Sequence, residues 1–326
     1  MSKTIERIER EVGIPGLVSL LAECMEPTDL QSLLLEVYRC RARQRRPSDV
    51  LSDYETNRFA QPATLSPARL HDWEQVAFSH LPVEFQTLDL SPVCPLGTNS
   101  VIAPVDQNWA ISTIRNTEVV SDSSNVLALE CAVRRRQLHR KQPKSAERVH
   151  LAASHRLLRA QRYEDSALLS HFRALALCSA GRDQGNFRFE LESLSLHIRF
   201  YLRSLRAFLG ASVPLRFAVS DFAPQARQSA ILSRLVAPIQ DDLGGIEGCF
   251  DSQRTSGRGY YLDLCFYIYA LAPSGSWLEL VDGGSVDWTQ RLLSNSKERL
   301  IISGIGSERV CGEFGSGDDV SSPRFR

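Results

Sequence analysis

Between Arg188 and Gly210, Leu191, Leu194, Ile198, Leu202, Leu205 and Leu209 recur at steps of three and four. That spacing puts the six aliphatic side chains on one helical face, and Gly210 is a natural C-terminal stop. A long amphipathic helix over 188–210 is therefore predicted. Leu30, Leu33, Leu34, Val37 and Tyr38 follow the same period after Thr28 and Gln31, which have the spacing of a capping box. Pro47 is read as closing that helix. The first 80 residues or so thus read as helical, with a Pro-, Ser-, Asp- and Asn-rich linker at 47–67.

The pattern changes near residue 81. Val83 to Leu90 alternates apolar and polar positions, as a half-buried strand does. Ser91 to Thr98 holds two prolines and cannot continue a central strand. Asp122-Ser123-Ser124-Asn125 reads as a turn, with a helix beginning near Cys131. Val149 to Ala160 and Ser170 to Ser179 read as a β-hairpin around a polar loop near Tyr163-Glu164-Asp165-Ser166. Leu215 to Val219 reads as a short strand. The tail from Gly312 is rich in Gly, Ser and Asp and is expected to fray.

Composition bounds the function. A chain of 326 residues can bury one large core or two modest ones, and 43% apolar with 23% charged residues is ordinary for a globular protein. Zero net charge argues against a molecule that traps nucleic acid as a whole. Two local basic runs, 41–46 and 134–144, read either as solvated helix ends or as phosphate contacts. No apolar run reaches the length of a membrane span, and the charged N-terminus lacks a signal-peptide core. The eight cysteines form no Cys-x-x-Cys pair, so free thiols in a reducing cytoplasm are the expectation. None of the seven histidines falls in a recognisable nucleophile motif.

The segment Ile301-Ile302-Ser303-Gly304-Ile305-Gly306-Ser307-Glu308-Arg309-Val310 predicts a strand running into a helix. Its small residues let a backbone come close, helix N-terminal amides point outward, and Arg309 adds a planar cation, an arrangement suited to an anionic ligand. Upstream lie Gly257-Arg258-Gly259-Tyr260-Tyr261, an apolar run from Leu262 to Leu271, and Asp282-Gly283-Gly284-Ser285-Val286-Asp287. This order resembles the catalytic domain of histidyl-tRNA synthetase and its paralogue, the regulatory subunit of ATP phosphoribosyltransferase. In the resemblance Tyr260 and Tyr261 stand for a tyrosine pair, Phe266 for a strand Phe, Gly283-Gly284 with Asp287 for a Gly-Gly turn, and Gly304, Gly306, Glu308 and Arg309 for motif 3 of the class II synthetases. The hairpin resembles motif 2: Arg159 matches the arginine on the α-phosphate and Phe172 the ring under adenine, while Gln161 and His171 stand where the family has acidic or basic residues. Residues 83–98 fall where motif 1 lies. Glu130 matches the glutamate that binds the substrate's amino group, or is an exposed acid at a helix start.

The resemblance spans roughly residues 83–311 and implies an α+β fold: a mostly antiparallel sheet flanked by helices, with an N-terminal helical extension. The implied division is 1–80 for the extension and linker, 81–312 for the core and 313–326 for the tail. The implied activity is a stand-alone, cytoplasmic protein that binds ATP and Mg²⁺ and adenylates a carboxylate, an amino acid, for a tRNA or carrier acceptor. It would act as a homodimer without membrane contact. Arg159 and Arg309 would be catalytic, clamping phosphates as pyrophosphate departs, and would hold the cofactor with Gln161, His171, Phe172, Gly304 and Gly306. Glu130, Arg258, Tyr260, Tyr261, Gly283 and Gly284 would bind substrate, with no protein metal ligand assigned. Ser256 holds the place of a family arginine, with Arg254 and Arg258 nearby, and Ser285 and Val286 replace an Arg and a Tyr, which argues against histidine as substrate. The alternative is a catalytically silent paralogue acting as a binding or regulatory subunit. An RNA-binding module built on the two basic runs is a third, weaker reading.

Overall fold

The chain begins with four helices that bury no side chain: α1 (Lys3–Val12), α2 (Leu17–Glu23), α3 (Pro27–Arg43) and α4 (Pro47–Thr56). This computed structural model describes residues 3–161, 170–223 and 227–314. Two local expectations need correction. Helix α3 starts at Pro27 with no side-chain cap, so Thr28 and Gln31 form no capping box. The stretch from Pro47, read as a linker, opens with helix α4. Proline at a first helical turn loses no hydrogen bond, and the Asp49 carboxylate accepts the Arg46 N–H at 3.0 Å. Residues taken for breakers are therefore first-turn residues.

Helix α5 (Pro67–Ser79) belongs with the body. It buries Leu70, Trp73 and Ala77, and the Trp73 indole donates to Ser307 Oγ at 3.1 Å. Next come β1 (Phe85–Thr87), β2 (Val93–Pro95), β3 (Thr117–Val119), α6 (Ser123–Lys141), β4 (Val149–Leu158), β5 (His171–Arg182) and α7 (Arg188–Leu209). The chain continues through β6 (Leu215–Asp221), α8 (Gln228–Ile231), α9 (Ala237–Asp242), β7 (Glu247–Phe250), β8 (Leu264–Leu271), β9 (Trp277–Val286), α10 (Trp288–Leu293), β10 (Glu298–Gly306) and α11 (Ser307–Glu313). Eight strands form one sheet in the order β1-β4-β5-β10-β9-β8-β6-β7. Every pairing in it is antiparallel except the parallel edge pairs β1–β4 and β6–β7. This is the α+β arrangement expected from the sequence.

Helix α7 covers one face of the sheet. Leu191, Leu194, Ile198, Leu202 and Leu205 of its apolar seam are buried, and Gly210 ends it at φ 89°. Helix α6 covers part of the other face, with Leu127, Ala128 and Cys131 against Leu151, Ala153 and Cys178. Among the described residues no helix is long and apolar enough to cross a membrane.

A line of buried polar groups ties α7 to the central strands. His150 Nδ1 and His197 Nε2 both meet Ser179 Oγ, at 2.7 and 2.8 Å. His197 Nδ1 meets Ser303 Oγ at 2.7 Å, and that hydroxyl bonds Tyr201 at 3.2 Å. Burial disfavours the charged imidazoles: it lowers His150 to about 4 and holds His197 well below its ordinary value. Their folded pKa values are depressed, so the neutral rings stabilise the fold fully above the unfolded value near 6.5. That contribution is lost as pH falls from there through about 4. Urea unfolding from pH 7.5 to 4 should show stability falling with acid, by on the order of 3 kcal/mol from His150 alone. The fall should be shallower in His150→Gln. An equal acid dependence in both proteins would contradict this.

Candidate active site

The central strands leave a strip of the sheet bare. Gly304 and Gly306 of β10 lie opposite Ala176 and Ala174 of β5, and Asp282 of β9 lies opposite Gly304 from the other side. The alternation that buries Ile301 and Ile305 on the α7 face turns these small residues to the other face. Over them opens a cavity of about 470 Å³, walled by the start of α6, the end of β4, Phe172 and Tyr260-Tyr261.

Asp122 is the N-cap of α6, its Oδ1 accepting from the Ser124 N–H at 2.9 Å and the Ser124 hydroxyl at 2.8 Å. The residues expected to form a turn, with a helix only near Cys131, are thus the cap and first turn of α6. An Asp followed by two serines is a good helix start. The second Asp122 oxygen holds Arg159, which donates to it at 3.2 Å and to the Ser121 carbonyl at 2.9 Å. The Arg159 guanidinium lies 5.1 Å from the Phe172 ring centroid, within cation–π range. A second acid–arginine pair stands at the other wall. Arg254, 7% exposed, donates to Asp282 at 3.0 Å and to the Ser256 carbonyl at 2.9 Å, and lies 3.5 Å over Tyr267. Burial raises the Asp282 carboxyl above its usual range, against the pull of Arg254. Tyr261 packs edge-on against Tyr260, with ring centroids 5.0 Å apart, and burial pushes both phenols up.

Neither family models nor curated proteins match the sequence. Solved structures do. An ATP phosphoribosyltransferase regulatory subunit/histidyl-tRNA synthetase from Bacillus halodurans C superposes with a TM-score of 0.60 at 10% identity, over 79% of this chain and 83% of that one. Histidyl-tRNA synthetase from S. aureus gives 0.55 at 13%, over 78% and 68%. A histidine–tRNA ligase subunit from Alicyclobacillus acidocaldarius gives 0.53 at 12%, over 77% and 95%. The chain has the class II synthetase-like fold. At these identities the likeness establishes the fold alone.

On this class II synthetase-like frame, Arg159, Gln161, Phe172, Tyr260, Tyr261, Gly304 and Gly306 come together as cavity lining. Other expected site residues do not line it. His171 points from β5 to the opposite face, where its ring bonds the Gln61 carbonyl at 2.6 Å and Arg156 at 2.9 Å. Glu130 sits in α6, paired with Arg134 at 2.8 Å. Arg258 is exposed over Phe222, 4.8 Å away. Arg309 is exposed on the first turn of α11, where its charge acts on Glu279. Gly283 and Gly284 form no turn: both are buried within β9. The hairpin loop around Tyr163 lies outside the described residues. Sequence reasoning missed Asp122, Asp282 and Asn125 at the cavity wall. The helix-capping pattern was a usable signal for Asp122 and nothing local marked the other two. Among the described residues no group of three His, Cys, Asp or Glu side chains is arranged to hold a metal.

The two β9 glycines are needed for space. A Cβ on Gly284 would stand 2.6 Å from the Leu264 carbonyl oxygen and 2.7 Å from the Tyr261 ring, whereas one on Gly304 would meet nothing closer than 3.8 Å. Gly284→Ala should therefore destabilise by about 1–3 kcal/mol and displace Tyr261, while Gly304→Ala stays within about 1 kcal/mol of the parent. Urea titrations of the two variants check this; equal losses would contradict the contact geometry.

Proposed function

We propose that the cavity binds ATP and that the protein activates a carboxylate, an amino acid, by adenylation. The observation that carries this reading is the guanidinium of Arg159 lying over the Phe172 ring, above a floor of small residues. The cation for an α-phosphate rests over the flat apolar ring that would take a purine, so the guanidinium would swing to the phosphate as the purine takes its place on Phe172. In such a reaction a carboxylate oxygen bonds the α-phosphorus and pyrophosphate leaves, so no covalent protein nucleophile is required. Arg159 would stabilise the charge that develops at the α-phosphate, and Tyr260 and Tyr261 would wall off the acyl end from water.

The residues fit Mg²⁺ only as an ion carried by the phosphates. Such an ion takes one or two carboxylates and keeps water and phosphate ligands, and it neutralises phosphate charge. Asp122 and Asp282, the cavity acids, are each already paired with an arginine. Action as a cytoplasmic homodimer and transfer to a tRNA or carrier belong to the same reading. The competing reading, a silent regulatory subunit, has two observations in its favour: Arg159 is committed to Asp122, and Arg309 stands outside the cavity lining.

ATP–pyrophosphate exchange with Mg²⁺ and each of the twenty amino acids separates the two. Adenylation predicts exchange with one amino acid, reduced on the order of a hundredfold in Arg159→Ala. ATP binding without exchange would favour the regulatory reading. Absence of ATP binding would overturn the nucleotide assignment.

A further inference from the structure

Behind the cavity wall lies a carboxylate that has no cationic partner among the described residues. Glu118 of β3 is fully buried and accepts only neutral donors. Its Oε1 takes the Asn99 backbone N–H at 2.8 Å and Asn99 Nδ2 at 2.7 Å, and its Oε2 takes the Gly97 N–H at 3.2 Å and Gln107 Nε2 at 2.7 Å. Gly97, at φ 88°, makes the turn that aims these amides at one point. Backbone N–H groups can only donate, so the carboxylate must accept.

That requirement propagates. Asn99 must offer Nδ2 to Glu118, which leaves its Oδ1 for its other neighbour. Asn125 accordingly donates Nδ2 to Asn99 Oδ1 at 2.9 Å. Asn125 lines the cavity, is 1% exposed, and its Oδ1 is a buried polar atom without a partner among the described residues. An amide side chain alone has two near-equal orientations, but here the buried charge two residues away selects the one that leaves an acceptor over. A buried acceptor left unmatched costs free energy, and the chain of bonds from Glu118 polarises it further. Ser123 Oγ, also on the cavity wall and 1% exposed, likewise has no partner among the described residues.

We infer that Asn125 is a specificity residue of this cavity. Buried Glu118 fixes it through Asn99 as a hydrogen-bond acceptor, and the ligand it selects presents an N–H donor at that point. Under the adenylation reading, on which the identity of the ligand rests, the activated carboxylate compound carries that N–H group. Glu118 and Asn99 touch no ligand and act as positioning residues.

The test uses the intact protein labelled with ¹⁵N-asparagine, titrated with methylammonium and separately with tetramethylammonium, which has the same charge and no N–H. The Asn125 side-chain amide signal is identified by its loss in Asn125→Leu. A saturable shift of this signal is expected with methylammonium and none with tetramethylammonium. In Glu118→Gln, whose own amide can present either end to Asn99, the methylammonium affinity should fall at least tenfold. Asn99→Leu, which removes the Oδ1 that takes Asn125 Nδ2 and so frees Asn125 to turn either end to the cavity, is the second variant should Glu118→Gln fail to fold, with the same expected loss. Equal responses to the two cations, or no saturable response because the oxygen is satisfied by a resident water, would overturn the inference. The arms stay separate from adenylation. Methylammonium binding without pyrophosphate exchange keeps the acceptor and removes the adenylation reading. Exchange in a protein whose Asn125 signal ignores methylammonium does the reverse.

Discussion

The cavity exists because the central strands carry almost no side-chain volume where it crosses them. Ala174, Ala176, Gly304 and Gly306 make its floor, and Gly284 lets Tyr261 pack down on β9. A sheet normally covers both faces with helices or loops to bury its apolar side chains. Here α7, joined by residues of α5, α8 and α9, packs on one face, while α6 covers only part of the other. Small residues resolve the conflict, because a strip with little apolar area loses little by facing an open cleft. The same constraint gives the pattern its polarity: bulky Ile301 and Ile305 go to the α7 side and glycines to the cleft side.

Charge around this floor is balanced rather than concentrated. Asp122 holds Arg159, and Asp282 holds Arg254. An arriving phosphate must therefore compete with Asp122 for Arg159 or share its guanidinium, which has donors to spare. The pairing keeps a flexible arginine beside Phe172 when no ligand is bound, and such preorganisation lowers the entropy lost on binding. Behind the wall the balance is of another kind. Glu118 is satisfied by amides, and it reaches the cavity wall through the orientation of Asn99 and Asn125.

How much was legible in the sequence follows from the range of the interactions. Helix α7 was readable because its seam repeats locally, and the β4–β5 hairpin because its strands flank a polar loop. The order of motifs was enough to find the fold and to bring Arg159, Phe172, Tyr260, Tyr261, Gly304 and Gly306 to one cavity. Local signals were misread where one residue type serves two roles. Pro47 and Asp49 looked like breakers and are a helix start, and Asp122 to Asn125 looked like a turn and is a cap. Gly283 and Gly284 looked like a turn, but their lack of Cβ serves strand packing. The Glu118–Asn99–Asn125 chain has no sequence signature at all, since its members meet only through the packing of β3, the segment after Gly97 and α6.

The central claim is that Arg159 and Phe172 together receive a nucleotide. A crystal structure of the protein with Mg²⁺ and a non-hydrolysable ATP analogue tests it most directly. The account predicts the α-phosphate within hydrogen-bond distance of the Arg159 guanidinium and the purine stacked on Phe172. An analogue bound elsewhere, or a cavity in which Arg159 at saturating nucleotide holds Asp122 and no phosphate oxygen, would contradict it.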